Sequence, residues 1–312
     1  MQWNDRVRRR LKLRDLDILL AVIQTGSMGK AAAALNMSQP AISKSIAHLE
    51  HTLSVRLLER SRQGIEPTAY GQAIVKRGIA VFDELRQGTQ DIAFLSDPTA
   101  GEIRVGGSEQ VSSSIFAPII EPLARNHPRM SFHVIAGDVR MLLQELDARR
   151  IDIMIVGILD PPDEEHSVEF LFNDPLVVIA GPSHPLARRR KIDVAELFQH
   201  AWTLQPADNQ FATMAREGFR KLGLNPPKVT AETTSANLRI KLLATGRFLS
   251  MAPRSSVLFP RRDPAYRILP VALPSVPRAV GIITLKNRML NPAAQLFVDQ
   301  VRTLTKPLAA LK

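Results

Sequence analysis

The stretch that decides the fold of the N-terminal part is residues 27–50, SMGKAAAALNMSQPAISKSIAHLE. Ser27 can N-cap a first helix, and Ser38 can N-cap a second helix after a tight turn. Pro40 falls in the first turn of that second helix, where its missing N–H breaks no hydrogen bond. The alanines of the first helix allow the two helices to approach closely, so the pattern predicts a helix-turn-helix.

The residues on both sides extend this prediction to a winged helix-turn-helix domain over residues 1–68. Before the motif, a leucine-rich stripe at helical spacing predicts a helix that ends at Gly26. After the motif, short strands are expected at residues 55–58 and 65–66. The turn between them holds two arginines, Arg60 and Arg62. A basic hairpin tip of this kind predicts a wing that contacts the DNA backbone or the minor groove.

A long helix is expected from Thr68, which can cap it, to about Leu95, and residues 69–98 form a linker region. Apolar residues and glycines repeat along it at alternating spacings of four and three, as in a coiled-coil seam. They are Ile74, Gly78, Val81, Leu85, Gly88 and Ile92. We favour a dimerisation helix, because helix-turn-helix proteins usually read paired half-sites as dimers. The alternative is an amphipathic helix that lies on its own domain.

From residue 102 to residue 312 strands alternate with helices, which is typical of sheets covered by helices. The expected fold class is α/β with a mainly α winged helix-turn-helix domain at the N-terminus. We expect mainly parallel sheets in two lobes, lobe I at about 102–170 and 268–312 and lobe II at about 171–267. Ligands of such sheets bind beyond the carboxyl ends of the strands, so the cleft between the lobes is the expected ligand site.

Composition narrows the class of protein and its partners. The chain of 312 residues has a formal net charge of +11, which favours nucleic acid or another anionic partner. It contains no cysteine, so disulfides, thiolate metal sites and a cysteine nucleophile are excluded. Basic residues crowd positions 6–14 with no apolar segment behind them, and no stretch approaches the roughly 20 apolar residues of a membrane span. We therefore expect a cytoplasmic protein whose basic arm is either a solvated tail or a contact to DNA phosphates.

An enzyme is the main competing class. The sequence has no H-E-x-x-H, G-x-S-x-G or Walker A motif, and no G-x-G-x-x-G after a strand. His48 and His51 lie three residues apart on the predicted recognition helix, where a solvated face fits better than a metal site. We predict no catalytic residue, no metal and no cofactor, only a small-molecule effector. The alternative is a cytoplasmic small-molecule-binding protein or enzyme with an accessory DNA-binding module.

The chain resembles LysR-type transcriptional regulators over essentially its whole length. Residues 27–50 resemble that family's signature of an Ala-Ala helix followed by Ser-Gln-Pro-Ala-Ile-Ser, and residues 57–60 with 67–71 resemble its wing and the start of its linker helix. Weaker landmarks follow at Gly137, Leu146 with residues 151–153, residues 184–187, and residues 244–246 with 251–253.

The resemblance implies a winged helix-turn-helix, a dimerising linker helix and a two-lobed effector domain similar to periplasmic binding proteins. It also implies a tetramer made of two dimers on promoter DNA, with RNA polymerase as a candidate partner. The DNA-binding positions that it implies lie on the helix-turn-helix and the wing: Lys30, Ser38, Gln39, Pro40, Ser43, Lys44, Arg60 and Arg62. Short polar and basic groups there can reach base edges and phosphates. Lys44 stands where arginine is common in the family, and lysine lacks the bidentate fork of a guanidinium.

Effector-binding positions come from the same resemblance. Most are small hydroxyls and amides in the loops after strands: Ser108, Ser112, Ser113, Asp138, Gln205, Pro206, Asn209, Thr234 and Ser235. For each serine taken alone, capping of the following helix is the competing interpretation. Asp138 would repel a carboxylate, so we expect a neutral hydroxylated effector, or a sugar acid held away from Asp138. The basic runs 187–191 and 261–262 are interpreted as solvated loop charges.

Overall fold

Residues 10–61, 64–158, 162–207, 210–259, 265–271 and 278–309 are described by a computed structural model. The chain divides into two compact units, Met1–Thr89 and Gln90–Lys312. Within the described ranges no helix is long and apolar enough to cross a membrane. The basic run 261–262 and most of the basic N-terminal arm lie outside the described residues.

The first unit begins with three helices and a two-stranded antiparallel hairpin. The helices are α1 (Leu13–Thr25), α2 (Met28–Ala34) and α3 (Gln39–Leu53), and the strands are β1 (Leu58–Ser61) and β2 (Gly64–Pro67). α1 ends where Gly26 adopts the left-handed conformation, with φ at +64°. Ser27 and Ser38 cap α2 and α3 by accepting hydrogen bonds from the backbone N–H groups of Lys30 and Ala41. The capping serines therefore start the helices where the sequence predicts.

The hairpin begins later than the sequence indicates. We expected the first strand at residues 55–58, whereas β1 runs from Leu58 to Ser61. The reason is Glu50, whose Oε1 accepts hydrogen bonds from the N–H groups of Leu57 at 2.7 Å and Leu58 at 3.2 Å. This side chain occupies the backbone donors of Leu57, just before the strand, and of Leu58, its first residue, so the ladder does not extend back to residue 55.

The long helix α4 (Ala69–Ser96) follows the hairpin and runs through the boundary between the units. The predicted coiled-coil seam is exposed along only part of α4. Ile74 packs against the core of the first unit, and the backbone at Gly78 lies beside Leu16, so this half of the seam contacts its own domain. Farther along, Val81 is 40% exposed, Leu85 50% and Ile92 67%. Among the described residues, an apolar row on α4 therefore remains exposed.

The second unit contains two five-stranded sheets. The first sheet has β3 (Ala100–Gly107), β4 (Arg129–Ala136), β5 (Ile153–Ile158), β6 (His166–Asn173) and β12 (Ala279–Leu285) in the order β4-β3-β5-β12-β6. Its helices are α5 (Ala117–Asn126), α6 (Val139–Asp147) and α10 (Pro292–Ala309). A short turn of helix, Glu109–Val111, and a π-helical segment, Ser112–Phe116, precede α5.

The second sheet has β7 (Leu176–Ala180), β8 (Ala201–Leu204), β9 (Val229–Glu232), β10 (Phe248–Pro253) and β11 (Arg267–Ile268) in the order β11-β7-β10-β8-β9. Its helices are α7 (Gln210–Arg220), α8 (Ala236–Ala244) and α9 (Arg254–Leu258), with 3₁₀ turns at Pro185–Arg188 and Val194–Gln199. Trp202 and Phe219 lie at the centre of its core, with Trp202 Nε1 donating to the Leu197 carbonyl at 2.9 Å.

The expectation of mainly parallel sheets is wrong in detail, because both sheets are mixed. In the first sheet β3 is parallel to β4 and β5, whereas β12 is antiparallel to β5 and β6. β12 returns to the first sheet only after the chain has built the second one, so it enters from the opposite end. β6, at the edge of the sheet, was not predicted, because its residues alternate poorly and Val168 and Phe170 stay exposed.

Candidate DNA-binding surface and effector cavity

The exposed face of α3 carries the polar residues that the sequence singles out. Ser38, Gln39, Pro40, Ser43 and Lys44 are all exposed, and Lys30 is exposed on the neighbouring helix α2. The opposite face of α3 is buried through Ile42, Ile46 and Leu49. Because one face is fixed in the core, the other can present a constant set of hydroxyl, amide and ammonium groups to a partner.

Polar contacts inside the domain hold this face in place. The Ser45 hydroxyl donates to the carboxylate of Asp15, a buried residue of α1, and so joins the first helix to the third. The Ile65 N–H donates to the Gly26 carbonyl at 3.0 Å, which holds the hairpin against the turn between α1 and α2. The hairpin is thus positioned beside the helix-turn-helix. Arg60 lies in β1, but its side chain is not among those that the structure describes. Arg62 is outside the described residues.

A cavity of about 230 Å³ lies between the two sheets of the second unit. The wall on the side of the first sheet follows the carboxyl end of β3 and consists of Glu109, Gln110 and Ser113. The rest of the lining comes from the second sheet and its helices: Leu176, Ile179, Leu204, Gln205, Ala212, Ala236, Asn237, Arg239, Ile240, Leu243, Ser250, Met251, Ala252, Pro253, Ser256 and Tyr266. A cavity that is lined mainly by apolar side chains and has a few polar groups suits a small organic ligand.

The structure brings two of the sequence-predicted effector residues, Ser113 and Gln205, to this cavity. Three others cap helices: Ser108 accepts from the N–H of Val111, Asp138 from that of Met141, and Ser235 from that of Leu238. Ser112, Pro206 and Thr234 are not among the residues that line the cavity, and Asn209 lies outside the described residues. The Ser112 hydroxyl is buried without a hydrogen-bond partner in the described part of the chain.

Sequence reasoning missed Arg239, the arginine that the described residues contribute to the cavity wall. Arg239 lies on α8, on the same face as Ala236, Ile240 and Leu243, so the usual three- and four-residue spacing could have placed it there. Burial lowers the pKa of Arg239, while Coulombic interactions with Glu109 and Tyr266 act in the opposite direction. The guanidinium therefore sits in a poorly solvated environment.

The two chain crossings between the sheets lie side by side. The Asp174 N–H donates to the Arg278 carbonyl at 2.8 Å, which joins the two connecting segments. The Asp174 carboxylate accepts from the Ser255 N–H at 2.8 Å, from the Ser255 hydroxyl at 2.6 Å and from Arg278 Nη1 at 3.2 Å. Burial lowers the pKa of Arg278, and the Asp174 charge opposes that effect. A buried ion pair thus anchors the region where the lobes connect.

The described residues hold no cluster of three or more His, Cys, Asp or Glu side chains that could bind a metal ion. His184 is structural: its Nδ1 accepts a hydrogen bond from the Leu186 N–H. Burial, together with the neighbouring His200 ring 4.6 Å away, lowers the pKa of His184 to about 4, so the imidazole is neutral at physiological pH.

Two protein families match the chain. Residues 13–72 match the bacterial regulatory helix-turn-helix protein, lysR family, and residues 96–306 match the LysR substrate binding domain. Among curated proteins, the HTH-type transcriptional regulator GbpR of Azospirillum brasilense is 26% identical over 94% of this chain and 86% of its own length. The transcriptional dual regulator GltC of Bacillus subtilis is 26% identical over 93% of this chain and 96% of its own length.

Solved structures show the same fold. A full-length OxyR variant from Pseudomonas aeruginosa superposes with a TM-score of 0.67 at 23% identity, covering 95% of this chain and 97% of that one. Full-length CbnR in complex with its target DNA, a structure 21% identical to this chain, has a TM-score of 0.64 and covers 94% of this chain and 99% of its own.

Proposed function

The chain belongs to the LysR family of DNA-binding transcriptional regulators, and on that premise we propose how it reads DNA and where it binds its effector. One observation carries the proposal: a single chain combines an exposed polar face on α3 with a cavity of about 230 Å³ between two sheets. The first can enter a major groove, and the second can hold a small molecule.

DNA reading falls to the exposed face of α3 and the hairpin. Gln39 and Ser43 offer an amide and a hydroxyl to base edges, whereas Lys44 and Lys30 offer charge to phosphates. Ser38 and Pro40 set the start of the helix at the DNA surface. Arg60 and Arg62 act from the wing as backbone or minor-groove contacts.

Effector binding falls to the cavity. Ser113 and Gln205 contact the ligand from opposite lobes, since both line the cavity. The remaining effector positions proposed from the family resemblance shape the loops around it: Ser108, Ser112, Asp138, Pro206, Asn209, Thr234 and Ser235. The caps made by Ser108 and Ser235 fix the start of the helical segments that carry lining residues such as Glu109 and Arg239. No cofactor or metal is part of this proposal, and no enzymatic activity is either.

The assembly that we propose is a homodimer through α4 and a tetramer of two dimers, which acts in the cytoplasm on promoter DNA and communicates with RNA polymerase. The exposed apolar row of Val81, Leu85 and Ile92 supports the dimer, because a helix face of this kind is normally covered.

The domain limits proposed are 1–68 for DNA binding, 69–98 for the linker helix and 102–312 for the effector domain.

Gln39→Ala tests the assignment of the recognition face. We expect its affinity for DNA upstream of the protein's own gene to fall roughly 5- to 150-fold, because a lost bidentate base contact costs about 1–3 kcal/mol. Binding to a random duplex should change little. Lys44→Ala should weaken binding to both duplexes. It should also reduce the slope of log affinity against log salt concentration by about 1.

The matched control is Lys191→Ala, which removes the same charge from an exposed position in the second unit. Fluorescence anisotropy with both duplexes measures all three variants at several salt concentrations. If Gln39→Ala binds the upstream fragment as tightly as the unsubstituted protein does, or if Lys191→Ala reproduces the effect of Lys44→Ala, the assignment of α3 as the reading helix is wrong.

A further inference from the structure

One strong hydrogen-bond donor of the cavity has no hydrogen-bond partner in the described part of the chain. Arg239 Nη1 is shielded from solvent and has no hydrogen-bond partner among the described residues. A buried donor without a partner is destabilising, and the penalty is larger for a charged group. Arginine is also fully protonated in proteins, so the charge cannot be relieved by losing a proton. Such a group is retained in a cavity wall where a ligand satisfies it.

The neighbours of Arg239 do not neutralise it directly. Glu109, on the opposite lobe, attracts the guanidinium, yet within the described part of the chain no hydrogen bond or ion pair joins the two side chains. The lining serines already donate elsewhere: Ser113 to the Gln110 carbonyl and Ser250 to the Thr203 carbonyl. Compared with these hydroxyls, Arg239 Nη1 is a donor with spare capacity among the described residues.

A complementary acceptor lies in the same cavity. Gln205 Oε1 is buried and also has no hydrogen-bond partner among the residues described. An amide oxygen in that situation calls for a hydroxyl or N–H donor on the ligand. Arg239 calls for an acidic acceptor, and a planar guanidinium fits a carboxylate in a bidentate arrangement.

We infer that the effector is a small hydroxy or amino monocarboxylic acid whose carboxylate binds Arg239 and whose hydroxyl or N–H group binds Gln205. This inference rests on the proposed function, because it assumes that the cavity is the effector site. A cavity of about 150 Å³ holds benzene, so a cavity of about 230 Å³ has room for small hydroxy or amino acids of that size and for somewhat larger ones. The negative charge of Glu109 disfavours a ligand that carries two negative charges. A monocarboxylate is therefore expected to bind more tightly than a doubly charged phosphate ester.

The preference for an acid differs from the neutral hydroxylated effector, the first of the two options that Asp138 indicates in the sequence, and is compatible with the second, a sugar acid held away from Asp138. Asp138 is not among the residues that line the cavity; it caps α6 through a 2.8 Å hydrogen bond from the Met141 N–H. The repulsion expected from Asp138 therefore acts away from the ligand site. Arg239, which the sequence did not single out, supplies positive charge to the cavity wall, where Glu109 supplies negative charge.

The test compares glycolate and lactate with their neutral amides, glycolamide and lactamide, and with methyl phosphate, at constant ionic strength. Thermal denaturation of the full chain gives Tm as a function of ligand concentration. We expect the two acids to raise Tm saturably by about 2–5 °C, with no saturable effect of the amides and weaker binding of methyl phosphate. Arg239→Gln should weaken acid binding at least roughly tenfold, Arg239→Lys should be intermediate, and Lys241→Gln on the same helix should match the unsubstituted chain.

The Tm of the ligand-free protein distinguishes a structural role of Arg239 from a role in ligand binding. Because Nη1 has no partner, Arg239→Gln should leave the ligand-free Tm unchanged or raise it, whereas a structural role predicts a lower Tm. Equal effects of acids and amides, tighter binding of methyl phosphate, or unchanged acid binding by Arg239→Gln would each overturn the inference. Anisotropy with upstream DNA separates the two proposals: acids that bind through Arg239 without altering DNA affinity support the ligand class assigned to the cavity and contradict its role as the effector site.

Discussion

Replacing Asp152 by alanine is expected to destabilise the second unit by about 3–5 kcal/mol, the range for breaking a buried ion pair on one side. Asp152 is fully buried and lies just before β5. Its Oδ1 accepts a hydrogen bond from Arg104 Nη2 at 3.0 Å, and it also accepts one from Arg288. The carboxylate thereby connects β3, β5 and the turn after β12, and its removal leaves two largely buried guanidinium groups without the charge that they share.

Urea denaturation followed by circular dichroism measures this loss, and hydrogen exchange locates it in the second unit. Asp299→Ala is the matched control, because Asp299 forms an exposed ion pair with Arg302 at 2.8 Å on the surface of α10. An exposed pair contributes about 0–1 kcal/mol, so the control should unfold almost as the unsubstituted chain does. Similar stabilities for the two variants would show that the buried pair contributes no more than a surface pair.

The second large effect is expected from Gly71→Val in the first unit. A Cβ atom at Gly71 would lie 2.1 Å from the Leu57 carbonyl oxygen and 3.1 Å from Pro67 Cβ. The Leu57 carbonyl cannot move away easily, because it accepts a hydrogen bond from the Thr68 N–H at 2.9 Å. Overpacking against backbone costs about 1–3 kcal/mol or more, so we expect the winged helix-turn-helix to unfold first and DNA binding to be lost.

Hydrogen exchange followed by mass spectrometry measures protection in each unit separately. Gly29→Ala in α2 is the control, since a Cβ there meets Gln39 Oε1 and Ser27 Oγ at 3.7 Å and 3.8 Å, which are ordinary contact distances. An alanine inside a helix should be neutral or stabilise by about 0.5–1 kcal/mol. If Gly71→Val retained full protection of α1 to α3, the close approach of α4 to Leu57 would not constrain the domain.

The helix-turn-helix could be predicted residue by residue because its signals are local. Ser27, Ser38 and Gly26 each act through capping or backbone conformation within four residues, and the structure confirms all three. The same is true of the α/β alternation, which follows from hydrophobic periodicity. Local signals did not determine the start of β1, which depends on Glu50 reaching seven residues along the chain.

The cavity was harder to predict than the fold, because it depends on contacts between distant segments. The loop position of Asp138 predicts a side chain that faces the ligand, but that side chain caps the following helix by accepting a hydrogen bond from the Met141 N–H. Arg239 appeared to be one more charged residue on a helix, and only packing of α8 against β10 and β8 buries its guanidinium. Sequence position therefore identifies the loops of a cleft, and tertiary structure decides which side chains enter it.

The measurement that tests the central claim most directly is a salt series of binding to DNA from the region upstream of the protein's own gene, with a random duplex of equal length as control. Sequence-specific regulation predicts that the upstream fragment binds roughly 1,000-fold more tightly or better at physiological salt. Equal and weak binding of both duplexes, with affinity that collapses as salt rises, would contradict specific reading at this site and leave only electrostatic attraction to phosphates.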